Sequence, residues 1–202
     1  RVLREYFARP DGFKGLNIGC GPHLRPGWLN TDIFLAPGID FAMDITRPLP
    51  FRDGSLQAIY GEEVLEHVDR KAVPPFLREA ARVLRPGGAL RLTTPEVRDI
   101  CRIFLGLRDG VDVNWFGNGW KEGDFDPEIW INAQFRSWGH QFIWSFERLR
   151  DEMLRAGFSP VIRCEPKKSK SGIAELNELE NRYGKDVPEW VYFQTMIVEA
   201  HR

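Results

Sequence analysis

Short apolar runs alternate along the chain with polar or glycine-rich breaks, and the runs are too brief for ordinary helices. Gly15-Leu16-Asn17-Ile18 ends at Gly19-Cys20-Gly21, and Trp28-Leu29-Asn30-Thr31-Asp32 ends at an acid. Asp40-Phe41-Ala42-Met43-Asp44 ends at a second acid, Gln57-Ala58-Ile59-Tyr60 at Gly61-Glu62-Glu63, and Ala89 to Thr94 at Pro95. Such runs, bounded by turn residues, read as strands of a mostly parallel sheet. Pro160–Cys164 and Val191–Ala200 add two more, making seven.

A different period separates the fourth run from the fifth. Between Lys71 and Leu84, Val73, Phe76, Leu77, Ala80, Ala81 and Leu84 fall on one side of a helix, and Arg85-Pro86-Gly87-Gly88 predicts its stop. Ser145 reads as an N-cap for a second helix carrying Phe146, Leu149, Met153 and Leu154, with a stop at Gly157. Val2 to Ala8 reads as a short helix ended by Pro10 and Gly12. Only about ten residues separate Ile18 from Leu29, too few for a three-turn crossover helix, since parallel crossovers usually need about a dozen residues or more. The expectation is a Rossmann-like, seven-stranded, mostly parallel α/β sheet with a reduced first crossover helix.

The 202 residues fit a single domain spanning 1–202. Two segments break the strand–helix rhythm and read as insertions. Residues 111–139 carry seven large aromatic rings, a candidate lid, and 166–190 opens with the basic run Lys167-Lys168-Ser169-Lys170 and continues into a helix near Ile173 to Tyr183. A net charge of -1 argues against a nucleic-acid partner. Cys20, Cys101 and Cys164 form no CxxC pair, so no zinc site or disulfide framework is expected, and a cytoplasmic setting is the simplest. No apolar run approaches the roughly 20 residues of a membrane span, and no leader pattern is seen. The chain opens on Arg1 and not on Met, which reads as a trimmed sequence or a piece of a longer one.

In an open α/β sheet, ligands lie beyond the carboxyl ends of the strands. Gly19 and Gly21 allow close backbone approach. Asp32 suits a ribose diol, since a carboxylate accepts both hydroxyl hydrogens. Asp44 can accept from an exocyclic amine, and Ile33 and Ile45 are positioned to clamp a flat ring. A pyrophosphate would want a third glycine leading into a helix N-terminus, but His23 to Arg25 stand there. An adenosine without phosphates fits better, and S-adenosylmethionine is the obvious one.

These residues resemble the class I S-adenosylmethionine-dependent methyltransferases, particularly the small "type 11" group. LNIGCGP resembles the family's first motif and NTDIF its ribose-binding acid. MDITRPLPFRDGSLQAIYGEEVLEHV, LREAARVLRPGGALRLTTPE and GHQFIWSFERLRDEMLRAGF follow in the family's order. The resemblance covers roughly residues 15 to 164. It implies cofactor contacts at Gly19, Gly21, Asp32, Asp44 and Glu62, with Asn17 departing from the acid usual at its position. Cys20, Ile33 and Ile45 complete the expected cofactor set. His140 and His67 are the candidate catalytic residues, His140 as a general base. A metal is not expected. Glu63, Glu66 and His67 would hold one, because Glu63-Val-Leu-Glu66-His67 resembles the metal-binding stretch of the ubiquinone-biosynthesis and small-RNA 2′-O-methyltransferases.

The resemblance implies methyl transfer to an oxygen or nitrogen of a small-molecule or saccharide-linked acceptor, as in polysaccharide or natural-product biosynthesis. A nicotinamide-dependent oxidoreductase and a catalytically silent nucleoside-binding scaffold are the alternatives.

Overall fold

The computed structural model describes residues 14–107, 126–180, 182 and 193–202. The expected helix at Val2 to Ala8 lies outside the described residues, as do the first half of the aromatic segment and the start of the last expected strand. Seven strands form one sheet: β1 (Leu16–Ile18), β2 (Leu29–Asp32), β3 (Phe41–Ala42), β4 (Leu56–Glu62), β5 (Leu84–Pro95), β6 (Val161–Cys164) and β7 (Thr195–His201). Their spatial order is β3-β2-β1-β4-β5-β7-β6. All neighbouring pairs from β3 through β5 are parallel, and β7 runs antiparallel between β5 and β6.

The order reverses between β1 and β4. The chain winds outward through β2 and β3, then returns to lay β4 on the other side of β1. That reversal opens a crevice at the strands' carboxyl ends. The first crossover holds turns and no helix, as its length predicts.

Helix α1 (Val73–Val83) places Val73, Phe76, Leu77, Ala80 and Ala81 in the core, with a proline at its first turn where a missing N–H costs nothing. Helix α2 (Val97–Phe104) is capped by Glu96, whose carboxylate accepts from the Asp99 amide at 2.8 Å. Helix α3 (Pro127–Arg136) is capped by Asp126 and helix α4 (Phe146–Arg155) by Ser145. The main core joins α1 and α4 to one face of the sheet through Leu16, Ile18, Ile59, Leu77, Leu90, Trp144 and Met153. Trp130 packs with Ile100 and Ile103, so this ring of the aromatic segment is core.

Three expectations need correction. β5 does not begin after the Arg85–Gly88 turn but runs through it, from Leu84, with a register shift opposite Leu56 and Ala58. β3 is two residues long, not five. The helix expected near Ile173 to Tyr183 is, over its described residues, a single 3₁₀ turn at Ala174–Leu176. Its apolar spacing is real, but Ile173, Leu176 and Leu179 pack as a strap on Trp28, Ala58, Tyr60 and Ala89. The amides leading into that stretch go to carboxylates: Lys167 N–H donates to Glu180 at 2.6 Å and Lys170 N–H to Glu199 at 2.9 Å. Both acids are drawn there by Arg91, fully buried on β5, which donates to Glu180 at 2.7 and 3.1 Å and to Glu199 at 3.2 Å. Buried charge overrides local propensity here.

Candidate functional site

The carboxyl ends of β1 to β4 border a cleft of about 520 Å³. Its floor is the loop after β1, which needs glycine in two places. Gly19 and Gly21 adopt left-handed φ values of 55° and 48°, and a Cβ on Gly19 would sit 2.6 Å from Val64 Cγ2. The loop is tied to β2 by two hydrogen bonds. Cys20 N–H donates to the Thr31 carbonyl at 3.0 Å, and Gly21 N–H to Asp32 Oδ2 at 2.9 Å.

Asp32 and Asp44 stand on the same edge of the sheet, one strand apart, because Asp32 pairs in register with Ala42. Asp44 accepts from the Thr46 amide at 2.9 Å and hydroxyl at 2.7 Å, and these bonds hold its carboxyl below the usual range. Ile33 and Ile45 line the cleft beside them. Ile33 is exposed and able to cover a ligand, whereas Ile45 is mostly core.

Asn17 and Glu62 do not line this cleft. They sit behind it, in a small polar recess shared with Gly19, Cys20, His23, Arg25 and Arg182. Asn17 donates to the Asn30 side chain at 2.9 Å and to the His23 carbonyl at 3.2 Å, so its amide braces the loop. Glu62 pairs with Arg25 at 3.2 Å, and Arg25 also lies 4.4 Å over the Tyr60 ring and donates to the Leu179 carbonyl. Burial pushes the Glu62 carboxyl up to about 7, against the pull of Arg25. Burial, with Asp32 adding to it, raises the Cys20 thiol to about 11, so it stays protonated at neutral pH.

At the other end of the cleft, Glu63 takes a left-handed φ of 54°, unusual for a side-chain-bearing residue. Its amide donates to the Thr93 carbonyl at 3.0 Å. Glu66 is fully buried. One of its oxygens accepts from the Thr94 hydroxyl at 3.0 Å, and Oε1 has no hydrogen-bond partner. Burial, then the neighbouring Glu63, drives the Glu66 carboxyl well above the carboxylate range. Glu63 is raised too, by burial.

His67 and His140 stack edge-to-face with ring centroids 5.0 Å apart. The Gln134 carbonyl lies 2.6 Å from His140 Nδ1, a geometry that puts the proton of the neutral ring on Nδ1 and leaves Nε2 as acceptor. Burial lowers both imidazoles below their ordinary value, so both are neutral at pH 7. His67 lines the cleft and His140 stands behind it. Glu66, His67 and His140 each bring a ligand-type atom within 4.8 Å of the others. The triad of acids and histidine read from sequence therefore exchanges Glu63 for His140.

Sequence reasoning missed Arg25 and Arg182. Neither carries a local signal, because their contacts, Glu62 and Leu179 for Arg25 and Glu62 for Arg182, lie far along the chain.

A model described as a methyltransferase domain matches residues 30–92, the stretch that holds Asp32, Asp44, Glu62 and the Glu63–His67 turn. Over those residues, less than half of its length, the chain is similar to methyltransferase domains. A methyltransferase from Archaeoglobus fulgidus has the same fold at a TM-score of 0.54 and 16% identity, over 99% of this chain and 91% of that one. An S-adenosylmethionine-dependent methyltransferase from Mesorhizobium loti aligns over 93% of this chain and 89% of that one, with a TM-score of 0.50 and 18% identity. A curated relative, an uncharacterized 37.1 kDa protein of transposon TN4556 from Streptomyces fradiae, is 30% identical over 118 residues, 47% of this chain. The matched part spans 33% of that relative's length. Both of those solved proteins are described as S-adenosylmethionine-dependent. No helix among the described residues is long and apolar enough to cross a membrane.

Proposed function

We propose that this methyltransferase domain moves a methyl group from S-adenosylmethionine to an oxygen or nitrogen of a small-molecule or saccharide-linked acceptor. The observation that carries the reading is the placement of Asp32 and Asp44 on neighbouring strand ends, beside a glycine loop that lacks a helix behind it. The residues fit the cofactor's nucleoside: Asp32 for the ribose diol, Asp44 for the adenine amine, Ile33 and Ile45 for the ring faces, and Gly19 to Gly21 beneath. A dinucleotide's pyrophosphate would find no helix N-terminus at this loop.

When bound, the cofactor supplies an electrophilic methyl group on a sulfonium that departs as a neutral thioether. The protein's share is therefore orientation and exclusion of water. His67, neutral and facing the cleft, accepts a proton from an acceptor hydroxyl or amine, while His140 packs its ring from behind. Calorimetry with S-adenosylhomocysteine tests the cofactor reading directly. Micromolar binding is expected, with thermal protection by this ligand and none by NADH. Protection by NADH alone would return the oxidoreductase, and binding without turnover over a panel of acceptors the scaffold.

A second reading, a divalent cation held by Glu66, His67 and His140, is favoured by the orphaned, buried Oε1 of Glu66 and by the acceptor nitrogen left on His140. Manganese calorimetry on the wild-type protein and Glu66→Gln tests it. Absence of wild-type binding at millimolar metal ends it.

A further inference from the structure

The strap over residues 165–180 leads toward the cleft, which Arg182 lines. Arg91 and its two carboxylate partners anchor it beneath, and the Leu179 carbonyl is held by Arg25. Beyond Glu180 the next described residue, Arg182, donates to the Glu62 main-chain carbonyl at 3.3 Å, over the end of β4. It lines both the large cleft and the polar recess behind it.

The sheet gives the cleft a direction. Asp44, Asp32, Gly19 and Glu62 follow the ends of β3, β2, β1 and β4 in that order. Neighbouring strands lie about 4.8 Å apart, so the row spans roughly 14 Å. With adenine at Asp44 and ribose at Asp32, the amino-acid arm of the ligand falls over β1 and β4, where Arg182 stands. Arg25, the other guanidinium of the recess, already has a carboxylate partner in Glu62. Among the described residues, no carboxylate oxygen lies within ion-pair distance of Arg182. Its charge still bears on Glu63, His23 and His67 around it.

Resting on the cofactor reading above, we propose that Arg182 clamps the α-carboxylate of the cofactor's methionine arm. A guanidinium presents a planar fork that meets a carboxylate with two parallel hydrogen bonds, and Glu62 engages only one of its N–H groups here. The Arg91 network then acts as the positioning device, holding the strap so that the fork faces the cleft.

Two ligands separate this clamp from nucleoside recognition. S-adenosylhomocysteine carries the amino-acid arm, whereas 5′-methylthioadenosine keeps adenine, ribose and sulfur and lacks it. Calorimetry on Arg182→Ala should show S-adenosylhomocysteine weakened on the order of tenfold or more, with 5′-methylthioadenosine unchanged. Arg182→Lys keeps charge without the fork and should fall between. Equal loss for both ligands, or loss for neither, overturns the clamp. If the wild-type protein binds neither ligand, the cofactor reading falls and the clamp with it. If it binds both and Arg182→Ala matches it, only the clamp falls.

Discussion

Truncating Asp32 is the most direct perturbation of the site, because this carboxylate has two tasks that can be weighed separately. In the free protein, Oδ2 accepts from the Gly21 amide at 2.9 Å and Oδ1 from the Phe34 amide at 3.3 Å, so the side chain ties the glycine loop to β2. With ligand present, its remaining lone pairs face the ribose hydroxyls. Hydrogen bonds to a charged group contribute about 1.5–3 kcal/mol each, and about 1.4 kcal/mol corresponds to tenfold in affinity. Losing one ribose bond therefore costs about 10- to 140-fold in S-adenosylhomocysteine affinity, and losing both costs more. The loop bonds are partly exposed, and their loss should lower stability by about 1 kcal/mol, roughly 2–4 °C in Tm for a chain this long. Asp32→Asn sharpens the test, since its amide oxygen can still accept from Gly21 N–H while the charge is gone. It should melt close to wild type yet bind several-fold more weakly. Calorimetry and melting curves on the wild type, Asp32→Ala and Asp32→Asn give both quantities. Wild-type affinity in a folded Asp32→Ala protein would refute the placement of the ribose here.

Other perturbations probe the frame around that contact. Glu62 is raised to about 7 by burial, so the folded state binds a proton that the unfolded state releases between pH 4.5 and 7, and its contribution to stability falls as pH rises through that window. Glu62→Gln should remove this fall, read as a flatter Tm profile from pH 4.5 to 7; parallel profiles would contradict the cause assigned. Arg91→Ala leaves Glu180 and Glu199 buried with their cation removed, and denaturant melts should show a loss of about 3–5 kcal/mol, with new proteolytic cleavage in the 165–180 strap. Gly19→Ala meets both a left-handed φ and Val64 at 2.6 Å, so it should lower Tm and weaken S-adenosylhomocysteine together. Wild-type behaviour would show that the loop can shift.

What could be read from the sequence was the periodic part. Short apolar runs ended by glycine, an acid or proline marked the strands through Thr94, and the ten residues after Ile18 excluded a crossover helix by length alone. Asp32 and Asp44 could be paired because strand ends in a parallel sheet share an edge. The strap and the arginines were hidden for a common reason: they rest on charges brought together from distant positions. Ile173, Leu176 and Leu179 have helical spacing, yet Arg91 organises the acids around them and the segment folds flat against the sheet. Arg91 sits mid-strand, among apolar and threonine residues of β5, with its buried partners 89 and 108 residues away. Glu63 to His67 could be seen as a group of potential ligands, but the partner of Glu66 and His67 in space is His140, supplied by the turn before α4.

The antiparallel strand carries one more consequence, for the order in which the sheet is completed. Among the described residues, β6 pairs with the sheet only through β7, and β7 is also the neighbour of β5. Residues 161–164 must therefore wait, once made, for 195–201 to arrive and slot between them and β5. During synthesis the half bearing Asp32 and Asp44 can close early, while the far edge stays open until the latecomer is threaded in.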